Sequence, residues 1–473
     1  MNPVKNTSTS CTISAQIADF VAGLRYEQLP ADVQKLAQLV LLDTVGCVLA
    51  GSTTEEISLI RNTVRALGGD GNASLWGTAE KAALPLAALV NGAAAHVREI
   101  DDFGGCAHSG AVVIPAALGT AIQVRASGAE LLTAIVIGYD VARRAMDGGG
   151  GYLTFKARGW HSTSTCGGFG AAAAAGRLLK LGPQRLQWAL GLAGSNAGGT
   201  WAFIPEGAMS KRVHPGFAAQ SGVMSAYLAA NGISGPESIF ETPWGGFFPT
   251  YVGDQAQPAK AVDGLAEDFR IRLVGIKPYA ACRGAHSSIE AALALRNEDG
   301  VSPENIQRIT VRGSTTHHKQ LRKQEVRTIL DAQFSLPYAI SVALSTGGAM
   351  LDQYTAEALL RPEILALARR IDVVVDSAVA DGAEPFLDAE LTDGRVLTKH
   401  VATARGDYKN PLSEEEVRSK FRTTAGMAIA SDQVDKLEQS ILHVADSSNL
   451  DELAKLLVPQ AGAEGARRGR TTA

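Results

Sequence analysis

The chain has 473 residues, of which 46% are hydrophobic and 19% charged, and its formal net charge at pH 7 is −4. This composition is typical of a soluble globular protein with about two or three domains. The slightly acidic balance argues against a nucleic-acid partner, because nucleic-acid binders usually carry a basic excess or a basic stripe.

At the N-terminus, "MNPVKNTSTSCTISAQIADF" has no apolar core of the signal-peptide type. No run of 18 apolar residues occurs anywhere in the chain, so a membrane-spanning segment is not expected. At the other end, "EGARRGRTTA" is typical of a frayed tail. We therefore expect a cytoplasmic protein that does not cross a membrane.

Helical patterns dominate residues 13 to about 240. The segment "DVQKLAQLVLLDTVGCVLAG" has apolar residues at three- and four-residue spacing and stops at Gly51, as many helices stop at a glycine. Several later segments are apolar nearly all round, so they must be buried among other helices. Further helices are predicted at about 85–98, 111–125, 129–146, 168–180, 184–193 and 216–231.

The pattern changes after residues 250–265, where Pro, Gly and Gln mark a candidate boundary. Asp393-Gly394 between two alternating runs predicts a β-hairpin over 389–401. Two more strands are predicted at 306–314 and 370–378, with helices at 287–296 and 333–346 on one face of the sheet.

Ser413 and Glu416 form a capping box, after which the pattern is helical again. The predicted fold is therefore mostly α with an α+β part. A large all-helical domain is built from both chain ends, residues 1–265 and 403–473, and a smaller α/β lid domain covers 266–402.

Titratable side chains concentrate in five short segments at predicted helix ends or glycine-rich turns. They are Glu99, Asp101, Asp102 and His108; His161; Lys211, Arg212 and His214; Lys277, Tyr279, Arg283 and His286; and Tyr338. Four of these segments also have an ordinary structural explanation. His108 could be an exposed cap, His161 a satisfied core histidine, the Lys211 segment an exposed basic loop and Tyr338 a packed phenol.

A metal site is not expected. Asp101 and Asp102 are neighbours and would point apart on a helix, so their spacing does not specify a compact oxygen cage. The five cysteines are scattered and lack C-x-x-C spacing, which favours a reducing compartment over a disulfide framework or structural zinc.

Three candidates lie beside predicted helix starts. His108 precedes a long apolar helix, so its imidazole could lie near free backbone N–H groups. His161 precedes the Ser/Thr run 162–165 and a Gly/Ala-rich helix that can approach its neighbours closely. Lys211 and Arg212 precede a helix predicted to begin near Pro215, where cations oppose the helix dipole and favour an anion bound between them.

The absence of nucleotide-binding and hydrolase motifs narrows the class of ligand. It contains neither a G-x-G-x-x-G after a strand nor a Walker A sequence, and no G-x-S-x-G nucleophile elbow. Several anion-suited segments without a phosphate loop therefore indicate carboxylates as ligands.

Six segments together resemble the MmgE/PrpD family over most of the chain and in the family's order. They are "LLDTVGCVLAG", "HSGAVVIPAALG", "RGWHSTSTCGGFGAAAAAGRLLKL", "SKRVHPGFAAQSGVMSAYLAANG", "QFSLPYAISVAL" and "RGDYKNPLSEEEVRSKF". The family includes 2-methylcitrate dehydratase, cis-aconitate decarboxylase and iminodisuccinate epimerase. The resemblance implies a helical domain with an α/β lid, a homodimer, and catalysis without a metal or organic cofactor.

The resemblance also implies site residues. The family's catalytic positions coincide with His108, His161, Lys211, Lys277 and Tyr338, and its acidic position with Glu99. As further substrate-binding candidates we take Asp102, Arg212, His214 and Arg283. Two departures bear on substrate identity: Glu99 stands where the family usually has Asp, and "DDFGGCAHSG" lacks the threonine of the family's D-D-T.

Dehydration, decarboxylation and epimerisation all build negative charge at a carbon beside, or conjugated with, a carboxylate. Lys211 and Lys277 are expected to stabilise that charge, and His108 and His161 to move protons in an order left open. Tyr338 would orient or donate a proton, and Glu99 would orient His108 or screen Lys211.

The expected function is a cofactor-independent hydro-lyase of the 2-methylcitrate dehydratase type that acts on a small di- or tricarboxylate. The alternatives are a cis-aconitate-type decarboxylase, an iminodisuccinate-type epimerase, and a non-catalytic binding or scaffold protein.

Overall fold

A computed structural model describes residues 12–460 of the chain. The predicted C-terminal tail, and most of the N-terminal stretch considered for a signal peptide, lie outside the described residues. Within 12–460 the molecule is mostly helical with a small mixed sheet, which confirms the predicted fold class.

The helical part contains α1 to α12 from the first half of the chain and α18 to α20 from its end. In order, α1 to α12 are Ile13–Gly23, Ala31–Ser52, Glu55–Ala66, Leu84–His96, Gly110–Gln123, Gly128–Gly148, Tyr152–Ala157, Ser162–Leu178, Pro183–Ser195, Phe203–Glu206, Ser210–Ala230 and Phe247–Tyr251. The last three are Glu414–Ala425, Ser431–Leu442 and Asp451–Leu456.

The α/β part contains helices α13 to α17, which are His286–Glu298, Thr315–Leu321, Ile329–Gln333, Leu336–Thr346 and Pro362–Ala368. Its strands are β3 Ile306–Gly313, β4 Ile371–Val375, β5 Phe386–Leu391 and β6 Val396–His400. The short pair β1 Ala73–Ser74 and β2 Lys81–Ala82 lies between α3 and α4 in the helical part. The sheet order is β4-β3-β5-β6, in which β3 is parallel to β4 and antiparallel to β5. The predicted hairpin is confirmed, since β5 and β6 pair antiparallel around Gly394, whose φ is 88°.

Two helix starts predicted from the sequence are wrong. The helix expected at 168 begins at Ser162, where Thr165 Oγ1 bonds back to the carbonyl of His161 at 2.9 Å inside the first turn. The helix expected at Pro215 begins at Ser210 and contains the proline. In both cases residues interpreted as flanking signals are themselves helical.

The Gly/Ala-rich helix α8 is the centre of the helical part. It packs against α5, α6, α9 and α11. A Cβ added at Gly170 of α8 would collide with the carbonyl oxygen of Gly138 in α6. The small side chains of this segment therefore serve close helix packing, and packing density inside proteins leaves no room for larger ones.

A second close crossing positions the site. A Cβ on Gly92 of α4 would lie 3.0 Å from the Cα of Gly216 in α11. Because the two backbones meet there, the C-terminal end of α4 with His96 and the N-terminal end of α11 with Lys211 lie side by side.

The buried apolar residues form two large clusters. One is built from α1 to α9, α11, α12 and α18 to α20 and continues to Ile276. The other lies mainly within 280–391 and also takes in Cys47, Ala50 and Ile100. The proposed division at 265 and 403 stays a prediction.

Helix α2 is long and apolar enough to span a bilayer by length and composition, but 72% of its most apolar window is buried inside the protein. It packs against α4, α5 and α18 and is a core helix.

Candidate active site

A cavity of about 460 Å³ opens between the helical part and the α/β part. The helical side contributes Glu99, His108, Trp201 and Lys211 to its lining, and the α/β side contributes residues such as Arg283. Its size is that of a small-molecule pocket.

The loop between α4 and α5 carries two strained residues at this cavity. Glu99 has φ 56° and Ala107 has φ 102°, both in the left-handed half of conformational space that non-glycine residues rarely adopt. Such conformations cost about 1–3 kcal/mol each and persist where the surrounding structure enforces them. Here they bring the Glu99 carboxylate and, next to Ala107, the His108 ring to the cavity.

Glu99 is the anion that the cations at the start of α11 bind. Its carboxylate forms an ion pair with Lys211, lies 3.0 Å from Lys277 Nζ and 3.6 Å from Arg212 Nη1. Burial alone would raise the pKa of Glu99, but Lys211 and Lys277 outweigh it and hold this pKa well below its usual value. Burial acts to lower the pKa of both lysines; for Lys277 the acids Glu99 and Asp101 more than reverse this, whereas the pKa of Lys211 stays lowered.

His96 connects Lys211 to Asp101. Its Nδ1 lies 2.8 Å from Asp101 Oδ2 and its Nε2 lies 2.6 Å from Lys211 Nζ. Burial, assisted by Lys211, lowers the pKa of His96 to about 3, so the ring is neutral near pH 7. Since the lysine ammonium can only donate, Nδ1 carries the proton and donates it to Asp101. His96 thereby fixes the direction of the Lys211 side chain.

His108 presents its ring to the cavity. Its Nδ1 donates to the carbonyl oxygen of Asp102 at 2.9 Å and lies 3.2 Å from Asp101 Oδ2. Within residues 12–460 no hydrogen bond to Nε2 is formed, which leaves that nitrogen for a ligand.

His161 and His214 form a second pair, held Nδ1 to Nδ1 at 2.9 Å. His161 Nε2 lies 3.2 Å from the Thr163 hydroxyl, and its ring packs edge-on against Trp201 at 5.0 Å. Burial and then Lys211 lower the pKa of both rings, that of His214 to about 4. His161 is only 1% exposed and lies beside the cavity wall rather than on it, while His214 lines a different cavity.

The structure does not bring every candidate to the cavity. Asp102 is fully buried and accepts the Gly110 N–H at 3.0 and 3.1 Å at the start of α5, and burial together with Asp101 raises its pKa. The Tyr338 hydroxyl donates to the Gln353 carbonyl at 2.8 Å inside the core of the α/β part. Asp102 therefore contacts the start of a helix and Tyr338 packs in a core, and neither side chain lines this cavity.

Arg283 and Arg212 are paired within the protein. Arg283 lines the cavity and lies 2.8 Å from Glu384 and 3.1 Å from Asp407. Arg212 donates to Gln333 Oε1 at 2.6 Å and is almost fully buried.

Three residues have the chemistry of a metal site. His96, Asp101 and His108 offer ligand atoms within 4.8 Å of one another. These atoms already bond to each other, and the ammonium groups of Lys211 and Lys277, the second 4.0 Å from Asp101 Oδ1, oppose a divalent cation there. The residues present fit a hydrogen-bonded network better than a metal, and the absence of a metal from the reaction stays a prediction.

Sequence reasoning missed His96 and treated Asp101 only as a metal candidate. The spacing of His96 and Glu99, one helical turn apart just before the Asp pair, was the available signal. Trp201, Cys282 and Lys156 also line the cavity and were not singled out.

The MmgE/PrpD N-terminal domain matches residues 15–259 and the MmgE/PrpD C-terminal domain matches residues 279–445. The chain belongs to the MmgE/PrpD family, as the sequence motifs predicted.

Relatives in this family include several cis-aconitate decarboxylases. The chain is 29% identical to the "Cis-aconitate decarboxylase-like protein oryM" of Aspergillus oryzae, over 96% of this chain and 99% of that protein. It is 27% identical to the cis-aconitate decarboxylase of Aspergillus terreus and 26% identical to that of Homo sapiens, in each case over 94% of this chain, and over 96% and 94% of those proteins. The family and these relatives indicate that the protein is an enzyme. The decarboxylases among the relatives act on a small carboxylic acid, cis-aconitate.

Proposed function

We propose that the protein is a cofactor-independent carboxy-lyase that removes CO₂ from a small unsaturated tricarboxylate of the cis-aconitate type. The observation that carries the proposal is the helical side of the cavity, where the ammonium groups of Lys211 and Lys277 flank Glu99 and the His108 ring, backed by Asp101, faces the open space. The cis-aconitate decarboxylases among the relatives support the same reaction.

In the proposed reaction the bond between a carboxylate carbon and its methylene carbon breaks, and CO₂ leaves. The electron pair moves through the adjacent double bond to the carbon that carries a second carboxylate. Lys211 stabilises that charge because preorganised positive groups in a water-poor site stabilise a developing anion strongly. A proton from His108 Nε2 then completes a methylene dicarboxylate.

The buried network serves this chemistry by fixing geometry. His96 holds the Lys211 ammonium, and the Asp101 carboxylate faces the His108 ring, which must carry an extra positive charge when it acts as the proton donor. Positioned acid–base groups of this kind contribute about 10²–10⁴-fold to a rate.

The second candidate is the hydro-lyase of the 2-methylcitrate type. Dehydration needs a base and an acid, and the group predicted to supply the second function is His161, whose ring lies 6.3 Å from that of His108. Decarboxylation needs one proton donor only. His161 does not line the cavity, and the other histidine that does, His317, lies on the α/β side and bonds the Ser314 hydroxyl through Nδ1. The single-donor reaction is therefore the better match, and the same reasoning disfavours an epimerase, which needs groups on two sides of one carbon.

The experiment is an incubation in D₂O with cis-aconitate and, separately, with 2-methylcitrate, followed by NMR. We expect CO₂ release from cis-aconitate and a methylene dicarboxylate with one deuterium. Loss of water from 2-methylcitrate without CO₂ release would support the hydro-lyase instead. Binding of both acids without any turnover would support a non-catalytic protein.

We also propose a cytoplasmic homodimer. Helix α11 and the residue before it leave an apolar stripe in solvent at eight-, seven- and four-residue spacing: Met209, Phe217, Met224 and Leu228 are 56, 53, 44 and 38% exposed. An exposed apolar patch of this kind is typical of a protein interface. The molar mass from light scattering should be twice that of the chain, and Phe217→Glu should reduce it.

A further inference from the structure

Among the cations that line the cavity, one pairs with no acidic side chain of the described residues. Arg143 pairs with Asp147 at 2.7 Å, Arg283 with Glu384 and Asp407, and Lys211 with Glu99. Lys156 of α7 also lines the cavity, but within residues 12–460 its ammonium has no carboxylate oxygen within 4.0 Å. Its hydrogen-bond acceptor is the side-chain oxygen of Gln320 at 2.7 Å.

The surroundings make an unpaired ammonium costly. Lys156 Nζ lies 5.6 Å from the centre of the Trp201 ring and 5.8 Å from that of Tyr152. Burial lowers the pKa of Lys156, against the opposing effect of Cys282 and Asp381. A cation removed from water is stabilised mainly by pairing or hydrogen bonding, and one amide oxygen with two ring faces satisfies it only in part.

The position of Lys156 relative to the reactive end is given by Trp201. One ring contact of Trp201 joins it to His161, at 5.0 Å, and another to Lys156. At the reactive end Lys211 Nζ lies 5.2 Å from the centre of the Phe334 ring. Trp201 and Phe334 thus add apolar surface to the cavity, each beside one of its cations, Lys156 and Lys211.

We propose that Lys156 binds a substrate carboxylate remote from the one that Lys211 stabilises, and so selects for substrates with an additional carboxylate on the far side of the reacting carbons. This role rests on the proposed function, because it assumes that the cavity binds a polycarboxylate. The ammonium would gain the counter-ion that the protein does not supply, and the substrate would be held at both ends.

The cavity has the volume for such a ligand. A tricarboxylate has twelve non-hydrogen atoms and takes roughly 360 Å³ even at the loose density of water, where one molecule occupies about 30 Å³. The cavity measures about 460 Å³. A tricarboxylate therefore fits the volume of the cavity that Lys211 and Lys156 both line.

The test compares the full-length protein with Lys156→Met, which keeps the length of the apolar stem and removes the charge. The probes are tricarballylate, a saturated tricarboxylate, and methylsuccinate, the same molecule without one terminal carboxylate. Binding is measured by calorimetry and turnover of cis-aconitate by NMR. Lys156→Arg is the rescue variant, and Lys180→Met, at an exposed ion pair with Glu130, is the matched control.

We expect Lys156→Met to weaken tricarballylate binding about 10- to 100-fold, the range of a lost charge-assisted hydrogen bond, and to raise KM for cis-aconitate similarly with kcat little changed. Methylsuccinate affinity should change little, Lys156→Arg should restore most of the loss, and Lys180→Met should match the wild type.

Equal losses for both probes, or an unchanged tricarballylate affinity in a variant that keeps the wild-type melting temperature, would overturn the role of Lys156. The proposed function fails differently: the wild type would then bind tricarballylate with the Lys156 dependence intact and convert no cis-aconitate.

Discussion

The two histidine pairs of the site differ in one respect, the presence of a carboxylate. His96 and His108 share Asp101, which lies 2.8 and 3.2 Å from their Nδ1 atoms. His161 and His214 bond to each other at 2.9 Å and, within residues 12–460, to no carboxylate, while Lys211 acts on both from nearby. The carboxylate gives the first pair a partner for positive charge, and the second pair has none.

The presence of Asp101 indicates which histidine is suited to donate a proton. A ring that must become charged during a reaction needs a compensating negative group when it lies away from water. His108 has one and also lines the cavity, whereas burial and Lys211 lower the pKa of His161 and His214, so the proposed proton donor is His108. Sequence motifs alone gave His108 and His161 equal weight.

The largest expected effect comes from breaking the first pair. His108→Gln should lower kcat for cis-aconitate by about 10²–10⁴-fold, because the proton donor is lost while the ring volume is largely kept. His161→Gln is the matched variant in the second pair and should cost less than His108→Gln. Equal or reversed losses, measured by NMR on variants that melt near the wild-type temperature, would contradict the assignment of the donor.

A second prediction concerns the stability that the buried Glu99 carboxylate contributes. Glu99→Gln leaves Lys211 and Lys277 buried without their counter-ion and should lower the free energy of unfolding by about 3–5 kcal/mol, as breaking a buried ion pair does. Urea unfolding at pH 7 measures the loss. The control is Glu414→Gln, which removes an exposed pair with Lys35 and should cost less than about 1 kcal/mol. A loss at Glu99 no larger than that of the control would contradict the buried cluster.

The smallest effect concerns the second pair and its response to acid. The pKa of His214 is about 4 in the folded protein, lowered by burial and Lys211, against about 6.5 for an unfolded chain. Above pH 6.5 its contribution to stability is fully present. As the pH falls from 6.5 to 4 the unfolded chain takes up the proton first, so stability is lost in that window.

His214→Gln should therefore show a shallower fall of the melting temperature between pH 6.5 and 4 than the wild type. His443→Gln, at an exposed position after α19, serves as the control and should keep the wild-type slope. An unchanged slope in His214→Gln would mean that the ring is not held neutral by its surroundings.

Much of the fold could be predicted because its signals are local. Periodic apolar residues gave the helices, and Asp393-Gly394 gave the hairpin. The starts of α8 and α11 were missed because serine, threonine and proline indicate a helix start only statistically, and here close packing extends both helices beyond them. Packing of this kind is not encoded in a short window.

The site was predictable only in part. Family motifs brought attention to Glu99, His108, Lys211 and Lys277, and the structure brings these four together. His96 was missed because its role depends on the crossing of α4 and α11 at Gly92 and Gly216, which no local pattern reveals. Tyr338 was placed at the site by its motif, yet its hydroxyl is already bonded in the core.

The buried end of the cavity has an unequal count of charges. Lys211, Lys277 and Arg212 surround Glu99, and with the low-pKa Asp101 they leave one positive charge uncompensated while His96 stays neutral. A polyanion is attracted to such a pocket on arrival. If the reaction removes one carboxylate as neutral CO₂ and adds a proton, the product carries one negative charge fewer than the substrate. Turnover itself then weakens the electrostatic hold, which favours departure of the product over renewed binding.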